Sequence, residues 1–312
     1  MAEIWTMGEV LVEIMRPHPD MPLKVVGEFL GPFPSGAPAI FADTVAKLGH
    51  SAGIIGGVGK DDFGEVVLNR LKRDGVNCEN VLLVGEKPTA VAFVTYFKDG
   101  SRKFIFHIDG TSATATRNLP ARHIPRADFF HIMGCSLMIN EKFRTAILKN
   151  TEAFFQKGAK ISFDPNIRKE LLKDKNIQEL LKPIMQYCSI IFPGIEELYM
   201  ITGKESIPEG IKELFKNNLI KLIVLKKGKE GCTIYSREEM INVPAFLIQE
   251  IDPTGAGDCF DAAFLCALAE DKSLYDCGRK ASAAAALNTI KFGPMEGIMN
   301  KTILEKFIQK NE

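Results

Sequence analysis

Short apolar runs alternate with helix-period segments along most of the chain, and this rhythm limits the available folds more tightly than any one motif. KISFDP (Lys160 to Pro165), SIIFP (Ser189 to Pro193), KLIVLKKG (Lys221 to Gly228) and ADFFHIMG (Ala127 to Gly134) read as buried strands. Helix patterns lie between them. One starts near Pro38, puts Phe41, Val45 and Leu48 on one face and ends at Gly49. A second takes Asp62 as N-cap with Glu65 behind it, buries Phe63, Val67 and Leu71, and stops at Gly75. A third carries Phe143, Ile147, Phe154 and Phe155 and ends near Gly158. Strand, helix, strand at this spacing predicts an α/β fold, a mostly parallel sheet with helices on both faces. One such domain over residues 1–312 is of ordinary length.

Two stretches break the rhythm. AVAFVTYFKDGSRKFIFHI (Ala90 to Ile108) is two β-rich runs around Asp99-Gly100 with no helix between, a hairpin signal. Leu23 to Ser35 is rich in Gly, Pro and Phe. Together they predict a small β lid built from roughly residues 11–36 and 87–112; an antiparallel edge of the main sheet is the alternative.

Composition excludes several classes. Lys plus Arg equals Asp plus Glu at 39 each, for a formal net charge of zero. That argues against general attraction to nucleic acid or to an anionic membrane. The seven cysteines are scattered and never in Cys-x-x-Cys spacing, so they read as reduced thiols of a cytoplasmic protein. Met1-Ala2-Glu3-Ile4 lacks the build of a signal peptide. No apolar run approaches the ~18 residues of a membrane span.

The chemistry concentrates in EIDPTGAGDCFDAAF (Glu250 to Phe264). Helical spacing of Phe260, Ala263, Phe264, Ala267 and Leu268 starts a helix around Gly257, whose first amides lack intrahelical partners and carry the positive end of the dipole. Gly255 and Gly257 leave that backbone bare, and Ala256 adds only a methyl. Two readings stand: a helix start that receives an anion, or a Gly-rich turn with Asp258 as an ordinary first-turn carboxylate. GGVGKDD (Gly56 to Asp62) is not a P-loop, because Ile54 and Asp61 stand where glycine and a hydroxyl are needed. After Gly257 the third glycine of a dinucleotide fingerprint is Phe260. A nicotinamide-linked oxidoreductase is thus poorly supported.

DPTGAGDCF resembles the second signature of the ribokinase-like (PfkB) carbohydrate kinases, and GGVGKDDFGE resembles the first. SGAPAIFADTVAKLG is similar to the substrate-side glycine motif of fructokinase-like members. FDPNIR is similar to a segment of the fructokinase and 2-keto-3-deoxygluconate kinase branches. The resemblance runs from Gly8 to about Gly293 and implies a three-layer, doubly wound α/β/α domain with a β lid. It implies that Asp258 takes the proton of a sugar hydroxyl as that oxygen attacks the γ-phosphorus of ATP, while the amides of Gly255, Ala256 and Gly257 stabilise the transferring group. As a carboxylate of reference pKa ~3.9 near a helix dipole, Asp258 is expected to be a weak base.

By the same resemblance Lys226, Gly228, Gly231 and Ser282 border the nucleotide, and Glu197 acts on Mg²⁺ through water. Asp252, Thr254, Asn288 and Gly293 surround a monovalent cation such as K⁺. Glu13, Gly36, Pro38, Arg102, Phe106 and Arg168 bind the sugar. Plainer readings stand beside these: a solvated strand-end lysine for Lys226, an exposed strand-end carboxylate for Glu13, a surface arginine for Arg168, and sheet packing for Phe106. Two positions depart from the family, Gly194 where Asn is frequent and Lys226 where Thr is frequent. The keto-deoxygluconate branch carries a Tyr and an Arg in the lid hairpin; no Tyr-x-Arg occurs here, which favours a neutral ketose. The expected activity is a fructokinase-like, ATP-dependent sugar kinase, then 2-keto-3-deoxygluconate and ribose as acceptors. A non-catalytic sugar- or nucleotide-binding protein of the same fold is the alternative of another class. An apolar lid face invites homodimer formation.

Overall fold

Residues 1–115, 119, 121–172 and 175–311 are described by the computed structural model. Among them the strands are β1 (Glu3–Met7), β2 (Leu11–Met15), β3 (Leu30–Ser35), β4 (Ser51–Gly59), β5 (Asn77–Val84), β6 (Ala90–Tyr96) and β7 (Arg102–His107). Then come β8 (Phe129–Met133), β9 (Lys160–Asp164), β10 (Cys188–Ile191), β11 (Leu222–Lys226), β12 (Cys232–Tyr235) and β13 (Met240–Val243).

The nine-stranded main sheet has the order β13-β12-β11-β10-β9-β8-β1-β4-β5. All neighbours are parallel except β11 with β12 and β12 with β13. Because helices cover both faces, successive residues of one strand enter different cores: Ile4 packs with Phe41 and Phe264 on one side, Trp5 with Phe130 and Phe154 on the other. From β1 the chain builds outward to β4 and β5 on one side and to β8 and its successors on the other. The crevice at the carboxyl ends of β1 and β8 is therefore where such a sheet receives ligands.

The four predicted strands and three predicted helices all occur, with two differences of detail. The helix Asp62–Arg73 is capped by Asp61, not Asp62: Asp61 has extended backbone and its carboxylate accepts the Gly64 N–H at 2.9 Å. In the helix Glu141–Gln156, Phe143, Ile147 and Phe154 are fully buried, whereas Phe155 turns outward onto Tyr187. Adjacent helical positions lie about 100° apart and do not share a face.

The hairpin is not an edge of the main sheet. It belongs to a separate four-stranded sheet of order β3-β2-β6-β7, antiparallel within β2-β3 and β6-β7 and parallel where β2 meets β6. This sheet has a small core of its own, Met15, Val94 and Phe104, packed against Phe292 of the main body. Tyr96 and Arg102 are register partners across the hairpin.

Candidate active site

The helix Ala256–Ala269 starts one residue earlier than expected, with Gly255 as N-cap in the left-handed region at φ 78°. A side chain at 255 would strike the Pro294 carbonyl oxygen at 2.6 Å, so glycine is required there. Gly257 differs. A Cβ on it would meet only Lys226 Nζ, at 3.7 Å, so the backbone there opens towards an ammonium. Of the three amides expected to face an anion, that of Ala256 already donates to Pro253 O, over a long 3.3 Å.

Two cavities meet at this helix start. The larger, about 350 Å³, is lined by Lys226, Gly228, Gly231 and Ser282 with Ala256 and Gly257, and closed by Phe246, Ile248 and Phe260. All four nucleotide candidates thus share one wall. The smaller, about 50 Å³, is lined by Glu13, Gly36, Arg102, Phe106 and Arg168 with Gly255 and Asp258. Five of the six sugar candidates converge there, brought by β2, β7, the turn before the helix Ala37–Lys47 and the segment after β9. Pro38 is the exception. It sits in the first turn of that helix, packed against Gly8, where its fixed φ suits the helix start.

Asp258 is buried, and its Oδ1 accepts from Asn166 Nδ2 at 3.2 Å. Burial pushes its carboxyl up to about 7, against the opposing pull of Arg168. The expected weak base is therefore corrected: removal from water outweighs the helix dipole. Asn166 also donates to Asp164 Oδ2 at 3.3 Å, and that oxygen meets Lys226 Nζ at 2.8 Å. Lys226 reaches Asp261 as well, at 3.4 and 3.5 Å. Burial opposes the charge on Asp164, yet Lys226 holds its carboxyl below the ordinary value; Asp261, also buried, is pushed well above it. A continuous polar chain thus backs the carboxylate at the helix start. Lys226 is not a solvated strand-end lysine but sits at the carboxyl end of β11 with its ammonium largely enclosed.

Glu13 is buried rather than exposed. Ser35 Oγ donates to its Oε1 at 2.8 Å, its Oε2 has no partner among the described residues, and burial raises it to about 7. Arg168 and Arg102 form no ion pair within 4.0 Å among the described residues, although both border the same cavity. Burial lowers Arg102, and the like charge of Arg168 adds to that. Tyr96 of the hairpin hydrogen-bonds Thr254, tying the small sheet to the loop before Gly255.

Of the remaining candidates, Thr254 lines the smaller cavity, and Glu197, Asp252, Asn288 and Gly293 stand back from both. Both oxygens of Glu197 accept backbone N–H groups at 2.8 Å, from Ile167 and Gly194, so the carboxylate closes the start of the helix Ile195–Thr202. Asp252 Oδ1 accepts the Thr254 N–H and hydroxyl, and its Oδ2 accepts the Gly293 N–H at 2.8 Å. Asn288 donates to Thr254 O at 2.7 Å. These four residues are adjacent, but as a brace between two loops. Sequence reading passed over Asp164, Asn166, Asp261 and Glu9. The first two lie inside FDPNIR and Asp261 inside GAGDCFD, so carboxylates within apolar runs were the available signal. Glu9 lines the smaller cavity and accepts from Ser136 Oγ and Cys135 Sγ.

Fold and site together define an α/β protein whose two cavities adjoin at one helix start. The pattern of the pfkB family carbohydrate kinases matches residues 7–301, and the chain belongs to that family. Fructokinase-1 of Zea mays is 31% identical, over 98% of this chain and 97% of its own length. A solved structure described as "a putative Ribokinase II in complex with ATP and Mg+2 from E.coli" is 35% identical, covers 99% of this chain and 100% of its own, and superposes with a TM-score of 0.90. A fructokinase double mutant from Vibrio cholerae O395, bound to fructose, ADP and potassium ion, is 25% identical, covers 99% and 98%, and gives 0.85. The chain is a fructokinase-like sugar kinase, transferring a phosphoryl group to a sugar hydroxyl.

Proposed function

We propose that the turn Gly255 to Asp258 is the transfer point between ATP in the larger cavity and a small ketose, fructose first, in the smaller one. One observation carries this reading: Ala256 and Gly257 border the larger cavity while Gly255 and Asp258 border the smaller. A phosphoryl group passes from donor to acceptor without leaving the turn. Lys226, Gly228, Gly231 and Ser282 hold the nucleotide. Asp258 receives the proton of the primary hydroxyl as its oxygen bonds to the γ-phosphorus, and ADP leaves with the electron pair of the broken bond. Glu13 takes a sugar hydroxyl on its unpartnered oxygen, beside Gly36, Arg102, Phe106 and Arg168.

Mg²⁺ bound with ATP would supply positive charge against that of the phosphates. Glu197 is reached only through water. K⁺ would be held by backbone oxygens of the Asp252–Thr254 and Asn288–Gly293 brace. The four-stranded sheet acts as the lid, since Arg102, Phe104 and Phe106 of β7 line the acceptor cavity. It also pairs two subunits through its exposed apolar residues, in an enzyme of the cytoplasm.

A second acceptor, a sugar acid such as 2-keto-3-deoxygluconate, is favoured by a specific observation. Arg102 and Arg168 face one cavity without ion-pair partners among the described residues, and Tyr96 stands opposite Arg102 in the hairpin register. Sequence adjacency hid that pair, which weakens the argument for a neutral sugar. ADP release measured over fructose, tagatose, ribose and 2-keto-3-deoxygluconate, with and without K⁺, tests both readings. Fructose is expected to give the highest kcat/KM; a preference for the acid transfers the assignment to the second reading, and no sugar-stimulated ADP release refutes both.

A further inference from the structure

We propose that Lys226 is a catalytic residue whose ammonium touches the transferring phosphoryl group, a role that rests on the kinase reading of the turn. Lys226 lines the nucleotide cavity, and its Nζ stands 3.7 Å from where a Cβ on Gly257 would be, in front of the exposed helix start. An ammonium has three N–H bonds. Asp164 takes one at 2.8 Å, while Asp261 is met only at 3.4 and 3.5 Å, so hydrogen-bonding capacity remains on the side of the cavity. The buried neighbours Asp164, Asp261 and Glu197 keep the amine protonated, although burial works against the charge. The cation is thus fixed in place before any nucleotide arrives.

Phosphoryl transfer asks little covalent chemistry of the protein and much fixed positive charge around the equatorial oxygens. During the step the acceptor oxygen bonds to the γ-phosphorus, the bond to the bridging oxygen breaks towards ADP, and the hydroxyl proton passes to Asp258. Lys226 gains and loses no proton. The rival role is electrostatic balance: Lys226 neutralises buried Asp164 and Asp261 and touches no substrate. Asp261 separates the two, because an amide at that position is neutral and can donate to Asp164 in the ammonium's place.

Lys226→Met is combined with Asp261→Asn, and the double variant is compared with the native enzyme and with Asp261→Asn alone. A phosphoryl contact predicts a folded protein whose kcat is down by ~10²-fold or more, the scale of losing one preorganised donor. Calorimetry with ADP and with the β,γ-imido analogue of ATP gives a second readout: ADP affinity stays within about threefold while preference for the triphosphate falls about tenfold, one charge-assisted hydrogen bond. Native-like kcat in the folded double variant overturns the proposal and leaves Lys226 as a charge balancer. Should the double variant not fold, Lys226→Gln, which retains a donor for Asp164, faces the same two readouts with the same outcomes. If the native enzyme itself releases no ADP with any sugar, the kinase reading of the turn has failed rather than this role.

Discussion

Asp258 is held between opposing influences: burial drives its carboxyl up to about 7, while Arg168 pulls it down. Such a group is a far better base than a solvated aspartate. Asp258→Asn is expected to lower kcat by ~10²-fold or more, the range for loss of a general base; steady-state ADP release measures it, and near-native turnover in a folded variant removes the assignment. Glu13 is also raised to about 7. The kcat/KM profile should therefore climb as pH rises through about 7, as both carboxyls ionise in the free enzyme. In Glu13→Gln the limb that survives belongs to Asp258, and a flat profile in that variant contradicts the base role. Stability carries the opposite trend. Unfolded, Asp258 ionises near its ordinary value of 3.8; folded, only near about 7. Between those values the folded state holds the extra proton, so this group's contribution to stability is lost as pH rises. Asp258→Asn has no such proton, and its melting temperature should gain on the native one between pH 4 and 7 and stay level below that window.

At the scale of elements, the nucleotide wall depends on two glycines that look equivalent in LKKGKEG and are not. Gly231 has φ 91°, and a Cβ there would lie 2.1 Å from the Val243 carbonyl oxygen of β13. Gly228, at φ 57°, has open space around it. Gly231→Ala is expected to cost about 2 kcal/mol or more and to raise the KM for ATP, whereas Gly228→Ala should cost about 1 kcal/mol, the left-handed penalty alone. Denaturant unfolding with ATP titration measures both, and equal costs contradict the geometry. Of the elements that bear this wall, β11 and the helix Ala256–Ala269 were legible because their apolar periods were strong. The Asp62 cap was misread by one residue, because Glu65 three positions on imitates a capping box while the backbone angles place the cap at Asp61. The Tyr96 and Arg102 pair was missed because antiparallel register joins residues that sequence spacing separates.

For the whole molecule, the small sheet and its β2–β3 connection expose Val25, Val26, Phe29, Leu30 and Ile105, and exposed apolar residues are the usual material of a contact surface. Sedimentation is expected to find a dimer that Val26→Glu with Phe29→Glu shifts to monomer; a monomeric native protein removes the pairing. Among the described residues no helix is long and apolar enough to cross a membrane. The sequence by itself determined the α/β class, the parallel sheet and the glycine turn with its aspartate, because each is encoded by neighbours along the chain: periodicity, caps and residues without side chains. Only the tertiary structure decided that the Asp258 carboxyl is buried and raised to about 7, that Lys226 faces Gly257 between Asp164 and Asp261, and that Glu197 is turned to backbone amides. Those properties come from burial and from charges contributed by β9, β11 and the helix Ala256–Ala269, whose separation along the chain carries no record of their proximity in space.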